Sequence, residues 1–489
     1  FESIGQPVFT PRNMALGGGG STYITNYQAN FYNPANLMIQ AREGRFSIGA
    51  GIGGVYFKGL KNYNGFNRQL KNLKDHLTPF NNDLDPLSNE EKLDIANDNY
   101  PGRKTVSTNK YRYEATLFGF KWMTDNRAFS VALRTRTSTI FNVGRGWYAG
   151  TFTESPDEKQ ILDRTLTQRY QNLHEISFGY AESFKFLTNL TSRLDNFVIG
   201  IAPKLVLGSD YQNADWQNIY QKQDESDLTT QIEVVRYNAA GEFAAADLNY
   251  FLDIPLSGGN SNAFTNTSFD INGIGAGLDI GITYLISLGS DLSAVQLNQK
   301  PTRRSLRLSF SMTDIGFISY NKKSIGFDTP VDTTFNTPPP TKIANQLFTG
   351  AKGQYFDFIQ QFSNDDPFSG SPYDQGTFSA LLPMALHGGA LLEMNRVKLM
   401  GDMSVGLTNN AFNTTRLTSS FGIELRPFSF MPVRGGIRLE AQRPEFVSLG
   451  TAIETTNWDL SLAGIFAPNS INEKPSITGA AAATLQFYF

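Results

Sequence analysis

The sequence predicts an all-β fold, a transmembrane antiparallel β-barrel of about fourteen strands, and three observations carry that prediction. Aromatics reach 13%, with 38 Phe and 20 Tyr, while charged residues are only 18%, below the roughly 25% of typical soluble domains. Segments of nine or more residues alternate apolar with polar or charged side chains, and no apolar run is long enough for a spanning helix. Long polar links alternate with short ones along the chain. Inside hydrocarbon every backbone N–H and C=O must be paired, which leaves strands only the closed barrel.

The clearest strands lie near the C-terminus. Leu417, Ser419, Phe421, Ile423 and Leu425 share one face, and Ser420, Gly422, Glu424 and Arg426 the other. After a turn expected between Pro427 and Pro432, Val433, Gly435, Ile437, Leu439 and Ala441 oppose Arg434, Gly436, Arg438, Glu440 and Gln442. Upstream, Val397, Leu399, Met403 and Val405 alternate with Lys398, Asp402 and Ser404. An arginine facing lipid at mid-depth costs about 2–4 kcal/mol, so Lys398, Asp402, Glu424, Arg426, Arg434, Arg438 and Glu440 are expected to line the lumen. A half-buried sheet in a soluble sandwich alternates similarly; three successive strands with charged inner faces favour the barrel.

The same pattern gives fourteen strands near 46–57, 111–122, 128–141, 174–186, 196–208, 269–286, 304–320, 384–394, 396–409, 416–427, 433–442, 446–454, 458–467 and 477–489. Links 58–110, 142–173, 209–268 and 321–383 are long, as extracellular loops are, whereas 123–127, Asn395 and 428–432 are short, as periplasmic turns are. An even count places both termini on the periplasmic side or in the lumen. In the last strand Leu485, Phe487 and Phe489 share a face. A terminal aromatic after alternate apolar residues resembles the signal read by the barrel assembly machinery of the bacterial outer membrane. The chain begins at Phe1 without a charged, then apolar, leader, and is expected to be a mature product after signal-peptide removal.

Residues 1–45 are too irregular to span and are expected to form a hatch inside the barrel made by 46–489. Glycine rows support this. Gly49, Gly51 and Gly53 in the first strand, and Gly273, Gly275, Gly277 and Gly281 in the sixth, would let other backbone approach the wall closely; the alternative is that they permit strong curvature. The inward charges either select a solute or tie the hatch down, and opposite signs on neighbouring strands favour tying.

The run Gly17-Gly18-Gly19-Gly20, followed by Asn30-Phe31-Tyr32-Asn33-Pro34-Ala35-Asn36-Leu37, resembles the N-terminal hatch motif of the long-chain fatty-acid transporter (FadL-like) superfamily. Asn36 stands where glycine is commoner. The stretches Ser311–Ile318 and Gly277–Gly281 are similar to a Bacteroidota branch related to the barrel that shuttles type IX secretion cargo. The resemblance implies a fourteen-stranded barrel with an N-terminal hatch.

Catalysis finds no foothold. There are no cysteines, and His76, His174 and His387 lie in separate segments without metal spacing. No Gly-x-Ser-x-Gly elbow occurs. The acidic pairs Asp83 with Asp85 and Asp365 with Asp366 read as solvated loop, with weak calcium binding the alternative. Ser88-Asn89-Glu90-Glu91 reads as a capping box opening a loop helix. Net charge is −3, which offers no footprint for nucleic acid, and no cofactor is expected. The long links are rich in aromatics, among them Tyr100, Trp147, Tyr148, Tyr211, Trp216, Tyr220 and Tyr237. Such rings must pack on one another or on a partner.

Two functions follow. One is passive transport or binding of a small hydrophobic molecule, in an apolar pocket lined by loop aromatics with Phe31 and Tyr32, beside a gap or kink in the wall. The other is a non-catalytic subunit of an outer-membrane machine for secretion or surface-protein assembly, meeting other outer-membrane proteins or lipoproteins through its loops. An open porin would be obstructed by hatch and loops. In every case the main partner is the lipid bilayer.

Overall fold

The computed structural model describes residues 10–39, 45–61, 89–155, 157–184, 195–222, 229–241, 243–244, 270–288, 304–322, 324–328, 333–336, 373–413, 415–440, 443–466 and 476–488. Fourteen strands form the wall: β1 (Phe46–Lys61), β2 (Val106–Met123), β3 (Arg127–Gly144), β4 (Leu166–Phe184), β5 (Asp195–Lys222), β6 (Gly273–Ser287), β7 (Arg304–Tyr320), β8 (Ala385–Met394), β9 (Val397–Gly406), β10 (Leu417–Phe428), β11 (Met431–Glu440), β12 (Arg443–Glu454), β13 (Trp458–Phe466) and β14 (Ser476–Tyr488). Each pairs antiparallel with its sequence neighbours. β1 pairs with both β2 and β14, which closes the cylinder.

The wall is inside-out relative to a soluble protein. Phe178, Ile199, Ile201, Ile282, Phe310, Leu399, Met403, Phe421, Ile423, Leu449 and Leu462 are exposed on its outer face. Glu424, Arg434, Arg438, Glu175, Lys204 and Asp279 are buried on its inner face. A continuous apolar belt of this extent on a monomer is a membrane-facing surface. This decides between the barrel and a soluble sandwich. Stacked pairs Trp122–Phe129 and Phe428–Phe430, with ring centroids 5.8 Å apart in each, ring the short-turn end. No helix among the described residues is long and apolar enough to cross a membrane.

Residues 10–39 lie inside the cylinder. Short polar side chains make their local structure. Thr10 Oγ1 accepts the Asn13 N–H at the start of α1 (Pro11–Ala15). Asn26 caps the 3₁₀ turn Tyr27–Phe31, and Asn33 caps Pro34–Met38, whose first residue is proline. Side-chain caps with proline at the first helical position fix turns too short to be stable alone. The Asn-Pro-Ala run is thus a capping device.

Several expectations need correcting. Pro427 and Pro432 lie within β10 and β11, and Ser429–Phe430 alone make the turn. A register shift between Ala50 and Gly53 changes the phase of β1, so Gly54 and Tyr56 are the buried positions beyond it and Gly53 abuts the neighbouring strand at Glu114 and Ala115. In β6, Gly281 meets the N-terminal segment, but Gly277 faces Lys204 and Leu382, and Gly273 and Gly275 press on β7. Bulges reset a two-residue period, and periodicity alone does not place them. The described parts of links 209–268 and 321–383 include paired strands as well as loop. β5 runs on beyond the belt and pairs with 229–240, onto which 324–328 and 333–336 add. A further helix, α2 (Asn89–Asn99), follows Ser88. Phe489, Gln442, His76, Asp83, Asp85, Asp365 and Asp366 lie outside the described residues.

The strand extensions form a cap with its own core of Ile95, Tyr100, Trp147, Tyr148, Trp216, Tyr237 and Phe243. Trp147 and Trp216 meet edge to face at 5.6 Å. Trp147 Nε1 donates to the Arg164 carbonyl (3.0 Å), and the Arg164 guanidinium lies 4.2 Å from the Trp147 ring centroid.

Candidate functional site

The bore is filled from the short-turn end by the N-terminal segment, which rests on inner-face glycines around the wall. A Cβ at Gly49 or Gly119 would enter the Tyr27 ring, at Gly179 the Asn30 and Leu37 side chains, and at Gly200 the Pro34–Ala35 backbone. At Gly422 it would meet Leu16, and at Gly436 the Leu16–Gly17 backbone. The glycine run itself is conformational: Gly17 and Gly18 have φ of +82° and +88°, a region other residues enter at a cost. Gly19 packs on the Asp402 side chain.

Wall side chains hold this segment by both its backbone and its side chains. Ser420 Oγ donates to the Gly17 carbonyl (2.8 Å) and the Gly17 N–H donates to Ser448 Oγ (3.0 Å). Lys121 Nζ donates to the carbonyls of Thr25 (2.7 Å) and Ile39 (3.2 Å), and Ser311 Oγ to that of Tyr32 (2.6 Å). Asn33 and Asn36 both donate to the Ser21 carbonyl, at 3.0 and 2.6 Å, and Asn36 accepts from Thr283 Oγ1 (2.8 Å). Asn36 therefore ties two parts of the segment to β6, which a glycine there could not do.

The inward charges of the C-terminal strands meet the segment directly. Ser21 Oγ donates to Asp402 (2.6 Å), and the Tyr23 hydroxyl donates to Glu424. Glu424 also pairs with Arg434 (2.7 Å), Arg426 (2.8 Å) and Lys398 (3.7 Å). Arg12 of the segment reaches Glu454 and Asp459, each at 3.0 Å. Arg438 lies higher, paired with Glu445 (3.0 Å) and close to Gly18. Glu440 is nearer the long-loop end, across from Thr418 and Arg443.

A second charged group, on β3 to β7, was not singled out from the sequence. Glu175 Oε2 accepts from Arg134 (2.5 Å) and its Oε1 from Arg136 (2.6 Å). Both oxygens of Asp314 accept from Arg136, at 2.8 and 2.9 Å. Lys204 pairs with Asp279 (2.9 Å) and with Asp314, and Glu114 with Arg134 (3.2 Å). Asp314 sits at φ +59° where the β6–β7 register shifts. The signal was present: Arg134 and Arg136 are two apart on one face, and Asp279 and Asp314 lie in the stretches that carried the family resemblance.

The Phe31 ring lies under the Arg134 guanidinium, 3.9 Å from its centroid, and packs in a buried apolar cluster with Tyr27, Leu37 and Met38. Tyr32 borders a polar cavity of about 10 Å³ with Gly18–Ser21, His387, Asp402, Ser404 and Ser420, room for about one water. His174 and His387 bond to Thr135 and Thr313 respectively, each at 3.0 Å, on different strands. No group of metal-ligating side chains occurs among the described residues.

Toward the long-loop end the link between β9 and β10 folds inward. Phe412 lies under the guanidinium groups of Arg136 (4.9 Å) and Arg112 (5.5 Å), and Ser138 Oγ donates to the Ala411 carbonyl (2.5 Å). Asn413 Nδ2 donates to the carbonyls of Pro383 and Met384, the latter at 2.9 Å. Phe412 shares a core with Leu173, Val206, Ile318, Tyr320 and Leu382.

Among solved structures, a toluene transporter of Ralstonia pickettii aligns at 11% identity over 99% of each chain with a TM-score of 0.43. A Pseudomonas putida toluene transporter aligns at 10% identity over all of both chains with a TM-score of 0.42. The translocator domain of an autotransporter from Neisseria meningitidis aligns at 7% identity over 91% of this chain and 88% of that one, at 0.32. These likenesses are distant and carry no weight for function. No curated protein matches the sequence. Residues 34–457 match the family of unknown function DUF5723, and the chain belongs to that family.

Proposed function

We propose that the chain is a plugged outer-membrane barrel that binds or passes a small hydrophobic molecule, with displacement of residues 10–39 as the gating step. The observation that carries this reading is how the plug is held. It rests on glycines and is tied by hydrogen bonds with wall side chains, at its own carbonyls and at its polar side chains, and by the ion pairs of Arg12, with no wall side chain interlocking at the glycine seats. Each neutral bond contributes about 1 kcal/mol net and each bond to a charged group about 1.5–3 kcal/mol, and all have a ready substitute in water, so plug and wall can separate without unfolding either. The hatch resemblance supports the same reading. A shifted plug would uncover an apolar strip that now joins Tyr27, Phe31, Leu37 and Met38 to Ala132, Ala181 and Val198, a surface suited to an apolar cargo.

The machine-subunit alternative drew on the loop aromatics. Tyr100, Trp147, Tyr148, Trp216 and Tyr237 are buried against one another in the cap, so these rings no longer call for a partner.

The chain has no cysteine, so a tether is clean to build. A Cβ at Gly389 would touch Ser21 Oγ, and Ser21→Cys with Gly389→Cys should form a disulfide between plug and wall. Oxidised, the pair should abolish uptake of a fluorescent hydrophobic probe by intact cells, and reductant should restore it. Uptake unchanged by the tether would overturn plug gating.

A further inference from the structure

Charged side chains buried this deeply are costly unless every partner stays in place, and their arrangement here joins two elements with no contact in sequence. Along the inner face of β3, from the short-turn end upward, Ser130 bonds Asn30 of the plug, and Arg134 lies over Phe31 of the plug. Two residues higher, Arg136 lies over Phe412 of the infolded link, and Ser138 bonds Ala411 of that link. One carboxylate, Glu175, accepts from both arginines with separate oxygens, and Asp314 fixes Arg136 from the β7 bulge with Lys204 behind it. The link arises between strands 9 and 10 of the fourteen yet packs on β2 and β3, halfway round the barrel. It crosses the whole bore to reach these arginines.

We propose that this cluster is a latch coupling the infolded link 407–413 to the plug, so that lifting Phe412 out of the bore loosens Phe31 and the segment around it. The inference rests on the plug-displacement reading above. Removing Phe412 takes away the apolar cover that keeps water from Arg136. A hydrated Arg136 releases its share of Glu175 and Asp314, and Arg134 then re-pairs with the freed carboxylates and leaves the Phe31 ring. The low dielectric of the site makes these contacts mutually dependent, which gives the two discrete arrangements that coupling requires.

The test uses the full chain in detergent, with Ser21→Cys as a single reporter in the plug and a membrane-impermeant maleimide as the probe. Phe412→Ala should speed Ser21→Cys labelling about tenfold, the effect of losing one desolvated cation–π contact. Glu175→Gln should do the same, and Phe412→Ala added to it should change the rate by less than about twofold, since the coupling is already broken. If Glu175→Gln fails to fold, Arg136→Lys, which keeps the charge but loses the paired geometry, takes its place. The latch is wrong if Phe412→Ala exposes an Ala411→Cys reporter while Ser21→Cys labelling stays unchanged, or if the two effects simply multiply. Coupled labelling alongside uptake insensitive to the Ser21–Gly389 tether would keep the latch and remove the transport reading.

Discussion

Asp163 shows how single side chains set the conditions under which the cap is ordered. It is buried, accepts the Thr165 N–H at 2.9 Å, and burial raises its carboxyl above the ordinary carboxylate range. A carboxyl whose folded pKa is raised binds more protons in the folded state between its unfolded and folded values. Its stabilising contribution is therefore fully present at low pH and lost as pH rises through that window. Asp163→Asn keeps the acceptor oxygen and removes the charge. Limited proteolysis of the cap, run from pH 4 to pH 8, should show wild type becoming more susceptible as pH rises, with the variant more resistant at neutral pH and flatter across the range. Residues of this kind were hard to foresee, because Asp163 looks like any loop aspartate until the fold covers it. The same holds for Phe31, whose apolar ring suggested a ligand pocket. Only the fold put Arg134 over it.

Among elements, the strands were the most legible, since lipid outside and charge inside impose alternation on every spanning segment. β10 and β11 show it plainly, with Phe421 and Ile423 exposed and Glu424 and Arg434 buried. Turns and bulges were less legible. The β1 shift between Ala50 and Gly53 and the β7 bulge at Asp314 each spend an extra residue that moves every later side chain to the other face. The cap resembles loops in the sequence because strands outside the membrane need no lipid-facing apolar stripe; Gln212, Asn218 and Gln231 occupy buried positions there. At this scale the plug and its glycine seats make the sharpest prediction. Gly436→Val places a side chain against the Leu16–Gly17 backbone. The barrel should still fold, shown by unchanged heat-modifiable migration in a gel, while protease added to the protein in detergent cuts the N-terminal segment several-fold faster. Equal protection of the segment would mean that the close approach at Gly436 does not hold the plug.

For the molecule as a whole, the bore is occupied in tiers: plug, ion cluster, infolded link with its aromatic core, and cap. The aromatic tier joins Tyr211, Tyr320 and Phe378, with ring centroids 5.1 to 5.6 Å apart. The tie between the C-terminal charges and the N-terminal segment was foreseeable from opposite signs on adjacent strands. The link reaching across to Arg136 was not, because nothing local to Ala411–Asn413 announces where it lands. The central claim is a membrane-spanning cylinder whose bore is closed by its own N-terminal segment, and planar-bilayer conductance tests it most directly. Wild-type protein should show no large steady conductance, and a variant lacking residues 10–39, whose bore is still narrowed by the ion cluster, the infolded link and the cap, should conduct measurably more. A wild type that conducts as freely as the truncated form would contradict the account.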